Sequence, residues 1–190
     1  MVNGVILQIL RNGVPKMDLP KFKYHLEPIK SGVIVKEKTL CPVCKEIKEY
    51  RYESKPYGEI NLEGICPWCI ADGSATKKYD VAFNDYYDYS NVVNNEQIKE
   101  LVERTPTYFS WQTEYWMTHC YDFCAFVEYV GWAEIEHLYD ELKEDIDETC
   151  KWMKINLEEF KEFLYNDGDF QGYLFKCIHC GKHRLHTDIS

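Results

Sequence analysis

Three pairs of cysteines have the Cys-x-x-Cys spacing that brings two sulfur atoms close together. The pairs are Cys41/Cys44, Cys66/Cys69 and Cys177/Cys180. A two-residue interval lets a tight turn direct both thiols at one metal ion, and it also suits a redox dithiol. The second pair stands in a CPWC run, which is one residue away from the CPYC motif of glutaredoxins. Its chemistry therefore depends on what accompanies it.

The first two pairs form a C-x2-C-x21-C-x2-C pattern, which is close to the usual spacing of a four-cysteine zinc site. Zn²⁺ takes four ligands in a tetrahedron, and four thiolates leave no open position for a substrate, so this site is expected to be structural. A glutaredoxin-like dithiol stands in a strand–helix–strand unit, and no alternating pattern of that kind follows Cys69. The sequence therefore favours Zn²⁺ over redox catalysis.

The third pair, Cys177 and Cys180, needs two further ligands, and His119 and Cys120 are the preferred candidates because the sequence predicts a helix that starts there. The other residues considered are Cys124, Cys150, His179, His183 and His186. The two cysteines among them are expected to be buried small side chains, and the three histidines to be surface residues. We predict one zinc site and consider a second.

A different pairing of the Cys-x-x-Cys motifs is compatible with the spacing. In this alternative the cysteines at 41 and 44 join those at 177 and 180, and those at 66 and 69 join the His-Cys dipeptide at 119–120. Sequence separation does not distinguish the two arrangements.

Hydrophobic patterning predicts an α+β fold in which zinc-ribbon or knuckle strands at both ends of the chain pack with a central helical segment. Strand patterns occur at 22–26, 46–54 and 173–175. A helix capped by Asn94 or Asn95 is expected to end before Pro106. Further helical patterns cover 119–130, 132–145 and 157–164.

The predicted organisation is an N-terminal extension, residues 1–17, followed by one zinc-stapled domain over residues 18–190. Within that domain, residues 18–89 form the zinc-ribbon part, 90–169 the helical acidic part and 170–190 the C-terminal knuckle. The apolar stretch at 5–10 is far too short to span a bilayer. With no export signal visible, we expect a cytoplasmic protein whose nine cysteines stay reduced.

Negative charge is concentrated in one part of the chain. The net charge is −10, and residues 134–169 alone contain 13 acidic and 4 basic side chains, a balance of −9. This face disfavours nucleic acid and favours a basic protein as partner. Aromatic residues are frequent, with 15 tyrosines and 5 tryptophans, and exposed ones often mark interaction surfaces.

Two alternatives to a binding protein remain open. In the first, His119, Cys120, Cys177 and Cys180 hold a catalytic zinc in the loose style of zinc deaminases, although the H-x-E and P-C-x-x-C motifs do not occur there. In the second, a modest basic strip on the ribbon binds nucleic acid. The strip consists of Lys45, Lys48, Arg51 and Lys55.

Several runs of the sequence resemble a bacterial protein family. They are LPKFKYH at 19–25, CPVC at 41–44, LEGICPWCIADGSA at 62–75, RTP at 104–106, WQ at 111–112, WMTHC at 116–120 and YLFKCIHCGK at 173–182. Together they resemble the CbrC-like family, in the same order over residues 18–190. The acidic helical stretch matches this family least well.

The resemblance implies a link with bacterial tolerance to a nuclease colicin, and it supplies no catalytic residue. Immunity proteins against basic nuclease toxins are often small and acidic. The positions that carry over as metal ligands are Cys41, Cys44, Cys66, Cys69, His119, Cys120, Cys177 and Cys180. We therefore expect a non-catalytic zinc-binding protein that binds and neutralises a basic protein toxin.

Overall fold

The computed structural model describes residues 18–85 and 93–190. The predicted N-terminal extension, residues 1–17, lies outside the described residues, as does the segment 86–92. Within the described part, no helix combines the length and the apolar character that crossing a membrane requires. The fold is a mixture of helices and antiparallel sheets, which confirms the α+β class.

The N-terminal part contains two small antiparallel ribbons. Strand β1 (Ile34–Val35) pairs with β4 (Arg51–Tyr52), and β2 (Thr39–Leu40) pairs with β3 (Ile47–Lys48). The single strand predicted over 46–54 is therefore wrong in detail, because its two halves pair with different partners. The strand predicted at 22–26 is reduced to an isolated bridge between His25 and Phe126.

Three helices follow the ribbons. They are α1 (Pro67–Ala71), α2 (Ser74–Tyr79) and α3 (Asn95–Arg104). The cap predicted at Asn94 is confirmed, since its side chain accepts hydrogen bonds from the backbone N–H groups of Glu96 and Gln97. Helix α3 ends at Arg104, two residues before Pro106, as the proline predicts.

The helix predicted over 119–130 is wrong, because this segment forms the tip of a β-hairpin followed by the long strand β6 (Asp122–Val130). Its apolar residues fit helical spacing, but four consecutive side chains, those at 123–126, are at most 1% exposed. A helix packed on one side cannot bury four neighbours in a row, whereas a central strand is covered on both faces.

Strand β6 lies inside the main sheet, which also contains β5 (Thr118–His119), β7 (Phe170–Cys177) and β8 (His183–Ile189). The order of the strands is β5-β6-β7-β8, and all neighbouring strands are antiparallel. The strand predicted at 173–175 is thereby confirmed. Cys124 of β6 stands opposite Cys177 of β7, so the register of these two strands fixes the end of the sheet from which the C-terminal knuckle emerges.

The acidic segment supplies the helices that cover the far end of the sheet. They are α4 (Trp132–Ile135), a 3-10 turn (Glu136–Leu138), α5 (Tyr139–Met153) and α6 (Leu157–Phe163). Ile135, Leu142 and Phe160 are fully buried, in agreement with the helical patterns at 132–145 and 157–164. Phe163 departs from its pattern, because it is 47% exposed.

Three groups of buried side chains form the core. One lies under the N-terminal ribbons and contains Cys41, Cys66 and Cys69; a second contains Cys177; and a third lies between the sheet and the acidic helices. The two groups of metal-ligand candidates are therefore attached to different parts of the core. The division into one zinc-stapled domain stays a prediction.

Candidate metal centres

The first cluster joins a tight turn to a helix start. In the turn at 41–46, which we call the first knuckle, the N–H of Cys41 donates to the carbonyl of Glu46, and the N–H of Lys45 donates back to the carbonyl of Cys41. Cys66 is the N-cap of helix α1, so Cys69 lies in its first turn. Both halves direct their thiols at one point.

Two side chains of helix α2 donate hydrogen bonds to the backbone of the first knuckle. The ammonium group of Lys78 donates to the carbonyl of Val43 at 2.7 Å, and the hydroxyl of Tyr79 donates to the carbonyl of Pro42 at 2.8 Å. These two carbonyls lie between the paired cysteines, where the turn leaves them without a ladder partner. The second Cys-x-x-Cys run and the helix that follows it therefore position the first pair.

The distances in the first cluster suit a tetrahedral metal ion. The ligand atoms of Cys41, Cys44, Cys66 and Cys69 all lie within 4.8 Å of one another. The sulfur atoms of Cys41 and Cys69 are 3.9 Å apart. Four thiolates at the usual Zn–S distance of about 2.3 Å would be separated by roughly 3.8 Å. These four cysteines could therefore hold a metal ion with little rearrangement.

The second cluster joins another knuckle to the tip of a hairpin. In the turn at 177–182, the C-terminal knuckle, the N–H of Cys177 donates to the carbonyl of Lys182 and the N–H of Gly181 donates to that of Cys177. The ligand atoms of His119, Cys120, Cys177 and Cys180 lie within 4.8 Å of one another. The Nδ1 atom of His119 is 3.2 Å from the sulfur of Cys120 and 3.3 Å from that of Cys180.

The local setting of His119 and Cys120 differs from the expected helix start. They lie where β5 turns into β6, and the two loop residues, Cys120 and Tyr121, have φ values of 53° and 59°. Positive φ at both central positions is typical of a type I′ turn, which costs energy for residues other than glycine. This strained turn is what directs the thiol of Cys120 towards Cys180.

The two clusters differ in their access to solvent. In the first, Cys41, Cys66 and Cys69 are buried in the core and Cys44 is exposed, whereas in the second Cys177 is buried and both Cys120 and Cys180 are exposed. A metal ion in the first cluster would stabilise a hydrophobic core, and an ion in the second would lie near the surface. Chelators and oxidants therefore have different access to the two clusters.

In each cluster one thiol has a lowered pKa. The Cys66 side chain hydrogen-bonds to Cys41 and lowers the pKa of Cys41, while the same contact raises the pKa of Cys66. In the second cluster burial opposes ionisation of Cys177, but backbone N–H groups of Cys180 and His179 lower its pKa. Since thiolates are the form that binds metals, each cluster contains one cysteine that ionises more readily than a free cysteine.

A buried carboxylate ties together the two halves of the second cluster. Asp122, which follows the hairpin tip and is 2% exposed, accepts hydrogen bonds from Tyr24 at 2.6 Å and from Lys23 at 3.1 Å. Its second oxygen is also 3.0 Å from Nε2 of His179, which lies inside the C-terminal knuckle. Asp122 thus fixes the hairpin relative to the knuckle. The sequence offered His179 only as a candidate ligand, and no short motif connects it with Asp122.

The structure distinguishes between the two pairings that the spacing allowed. The cysteines at 41 and 44 lie with those at 66 and 69, and the His-Cys dipeptide at 119–120 lies with Cys177 and Cys180. The other candidate ligands belong to neither group within the described residues: they are Cys124, Cys150, His179, His183 and His186. Cys124 is fully buried, and Cys150 is half-buried on α5.

Each cluster provides four protein ligands, which fill the coordination sphere of a tetrahedral ion. Sulfur-rich sets of this kind select soft or borderline metals such as Zn²⁺. An ion held in this way would cross-link two segments of the chain. Because all four positions would be taken by protein ligands, none would be left for a water or a substrate. The arrangement is chemically suited to stabilising a fold.

A family model and individual relatives of known sequence point to the same protein family. The model of a family described as "Uncharacterised protein family (UPF0167)" matches residues 19–189. The UPF0167 protein Mb2317 of Mycobacterium bovis is 37% identical over 176 residues, which cover 90% of this chain and 94% of the relative. The UPF0167 protein PA1536 of Pseudomonas aeruginosa is 37% identical over 175 residues, covering 90% and 98%. No solved structure matches the chain. The chain therefore belongs to the UPF0167 family.

Proposed function

We propose that this protein is a non-catalytic zinc-binding protein whose metal-stapled scaffold, zinc-ribbon-like at its N-terminal end, presents an acidic surface to a basic protein partner. The observation that carries the proposal is the presence of two clusters with four convergent ligands each. Zn²⁺ bound there stabilises turns and exposes no reactive position. The setting in which such thiols stay reduced is the cytoplasm.

Metal analysis of freshly purified protein tests the scaffold. Two zinc ions per chain are expected from the two clusters. One ion that remains bound in Cys180→Ser and is lost in Cys69→Ser would restrict the proposal to the first cluster. Protein without zinc that melts at the same temperature with and without added Zn²⁺ would overturn the scaffold argument.

The acidic surface is formed by side chains of the segment 134–169 that point to solvent. Exposed acidic residues there are Glu134, Glu136, Asp140, Glu144, Asp147, Glu148, Glu158, Glu162, Asp167 and Asp169. Three exposed aromatic side chains lie in the same segment: Trp152 at 69%, Phe163 at 47% and Tyr165 at 62%. Acidic groups steer a basic partner, and exposed aromatic residues supply anchors for it.

The proposed partner is a basic protein toxin of the nuclease type, which would make the protein an immunity or tolerance protein. Support for this comes from the surface charge and from the resemblance to the CbrC-like family with its colicin link. The test is a pull-down from the native host combined with a survival assay against nuclease toxins. Recovery of no protein partner together with no protection against any toxin would refute the proposal.

Charge-reversal variants make the partner test specific. Glu144→Lys and Glu148→Lys, both on the exposed side of α5, are expected to weaken capture of the partner and to increase its dissociation in salt. Glu59→Lys changes the net charge equally at an exposed position outside the acidic segment, so it is the matched control. Equal effects of all three substitutions would show that the acidic surface is not the docking site.

The two alternatives have less support. A catalytic zinc needs an open coordination position, whereas His119 and the three cysteines of the second cluster already provide four ligands. The basic strip proposed for nucleic acid is largely neutralised. Lys48 pairs with Glu46, Arg51 with Glu37 and Glu53, and Lys55 with Glu63. Hydrolytic activity that depends on His119, or a salt-sensitive gel shift, would reverse this preference.

A further inference from the structure

A cavity of about 570 Å³ lies away from both metal clusters, at the end of the main sheet. Its floor is formed by side chains of β6 and β7, and its walls by the loop at 109–111 and the turn at 30–32. None of the cluster ligands lines it. The volume lies within the range of small-molecule sites, about 300 to 1,000 Å³.

Two tyrosine hydroxyl groups at the cavity are available as hydrogen-bond donors. The Tyr129 hydroxyl oxygen accepts a hydrogen bond from the N–H of Phe109 at 2.8 Å, and that of Tyr173 accepts one from the N–H of Trp111 at 3.3 Å. Within residues 18–85 and 93–190, neither O–H finds an acceptor. Burial raises the pKa of Tyr129 to about 12 and also raises that of Tyr173, so both stay protonated.

The side chain of Gln171 is the second sign of a binding site. It lies on the same face of β7 as Tyr173, lines the cavity and is only 6% exposed. Among the described residues, none makes a hydrogen bond with its amide group. The amide is reached from the cavity, so both its N–H and its C=O groups are free to bond to a molecule bound there.

Trp111 provides a flat apolar wall. Its indole N–H donates to the carbonyl of Gly168 at 3.1 Å, which fixes one edge of the ring, and the side chain is still 52% exposed. Because its polar atom is already bonded, the free surface of the indole can only make apolar contacts. Such a surface suits the C–H face of a saturated or aromatic ring.

The charges around the cavity disfavour an anionic ligand. Lys30 is the cation among the described lining residues, and it forms an ion pair with Glu128. Asp167 adds a further carboxylate to the rim. A phosphate or carboxylate ligand would therefore lack an unpaired positive charge, and it would enter a protein with a net charge of −10.

We propose that this cavity binds an uncharged saccharide, whose ring packs on Trp111 while its hydroxyl groups bond to Gln171 and to the two tyrosines. Each sugar hydroxyl both donates and accepts. It can thus accept from Tyr129 and Tyr173 and exchange hydrogen bonds with the Gln171 amide. The site contains none of the metal-cluster ligands and shares only Asp167, at its rim, with the acidic surface, so it goes beyond the proposed function.

The experiment is a saturation-transfer NMR screen of the zinc-loaded full chain against named neutral sugars, followed by calorimetry. The probes are glucose, galactose, mannose, N-acetylglucosamine, maltose and cellobiose, with adenosine and uridine as flat uncharged competitors. At least one sugar is expected to bind. Binding of no sugar, or of a nucleoside in place of every sugar, overturns the proposal.

Three variants locate the binding. Trp111→Ala removes the apolar wall and is expected to abolish detectable binding, and Gln171→Met, which keeps the side-chain length, is expected to weaken it roughly tenfold. Trp152→Ala removes another exposed tryptophan, one on α5 that does not line this cavity, and should bind as the parent does. Equal binding by parent and Trp111→Ala, with unchanged melting temperatures, would show that the sugar binds elsewhere.

Discussion

Lys45 and Gly181 occupy the same position in the two knuckles. Each donates its backbone N–H to the carbonyl of the first cysteine of its turn, at 3.0 Å in both cases. Each has a left-handed backbone, with φ values of 63° and 78°. Glycine adopts this conformation freely, whereas lysine does so at a cost of about 1 kcal/mol.

This equivalence predicts opposite effects of two substitutions. Lys45→Gly should raise the free energy of unfolding by up to about 1 kcal/mol, because it relieves the strain of the first knuckle. Gly181→Ala should lower it by a similar amount, although a Cβ at this position would meet only the Lys176 Cε at 3.8 Å. Urea unfolding of the zinc-loaded proteins measures both values. A destabilising Lys45→Gly together with a neutral Gly181→Ala would contradict the backbone argument.

Differences in exposure predict the order in which the clusters lose metal. A chelator should remove the ion at Cys120 and Cys180 first, because both sulfur atoms are at the surface, and the ion among buried Cys41, Cys66 and Cys69 later. Release of zinc followed with a colorimetric chelator should show two phases of equal amplitude. Cys180→Ser should lack the fast phase and keep the slow one. A single phase in the parent protein would show that the two clusters open together.

The sequence predicted which cysteines and histidine lie together better than it predicted the surrounding fold. Cys-x-x-Cys spacing is a local property, so the cysteines and their tight turns could be recognised without knowing the fold. The pairing of the motifs depended on tertiary structure. Strand β6, at 122–130, also fits a helical pattern because its apolar residues, buried on both faces, satisfy either period. Gln171 had no local signal, since its environment is built by residues far away in the chain.

An ion pair between α5 and β8 predicts that substitutions of two neighbouring acidic residues on α5 differ strongly in their effect on stability. Asp145, a 4% exposed side chain, accepts three hydrogen bonds from Arg184, at 2.6, 2.9 and 3.1 Å, and one from the N–H of Leu185 at 2.9 Å. Asp145→Ala should destabilise the protein by about 3–5 kcal/mol, because it leaves the cation and the strand edge unpaired. Thermal and urea unfolding measure the loss.

The neighbouring contact supplies the control for that prediction. Glu141, one helical turn earlier on α5, accepts from the N–H of His183 at 2.7 Å on the same edge of β8 but is less buried. Glu141→Ala should therefore cost about 1 kcal/mol or less. The double variant Asp145→Leu with Arg184→Met should recover much of the stability that Asp145→Ala loses. Equal losses for Asp145→Ala and Glu141→Ala would show that burial does not determine how much each contact at this strand edge contributes to stability.

One buried histidine, His25, and one half-buried histidine, His186, predict a loss of stability in mild acid. Burial lowers the pKa of His25 from 6.5 to about 4, and it lowers the pKa of His186 to about 4 as well. The Nδ1 atom of His25 lies 2.9 Å from the carbonyl of Pro106, and its Nε2 lies 2.8 Å from the hydroxyl of Ser31. Both side chains are thus held in the neutral form.

The sign follows from proton binding by the two states. Between pH 6.5 and about 4, the unfolded chain binds a proton at each of these positions and the folded chain does not. Each histidine therefore lowers the free energy of unfolding by up to about 1.4 kcal/mol for every pH unit of acidification in this window. Above pH 6.5 neither contributes a slope, and its full stabilisation is present.

Urea unfolding of the parent, His25→Gln and His186→Gln between pH 7 and pH 4 measures this slope. Each substitution should lower by about one the number of protons that the chain takes up on unfolding in this pH range, whatever its effect on stability at pH 7. Because the metal clusters are the same in all three proteins, the competition of protons with zinc cancels in the differences. Parallel curves for parent and variants would mean that the two imidazoles accept protons equally well in the folded and unfolded chains.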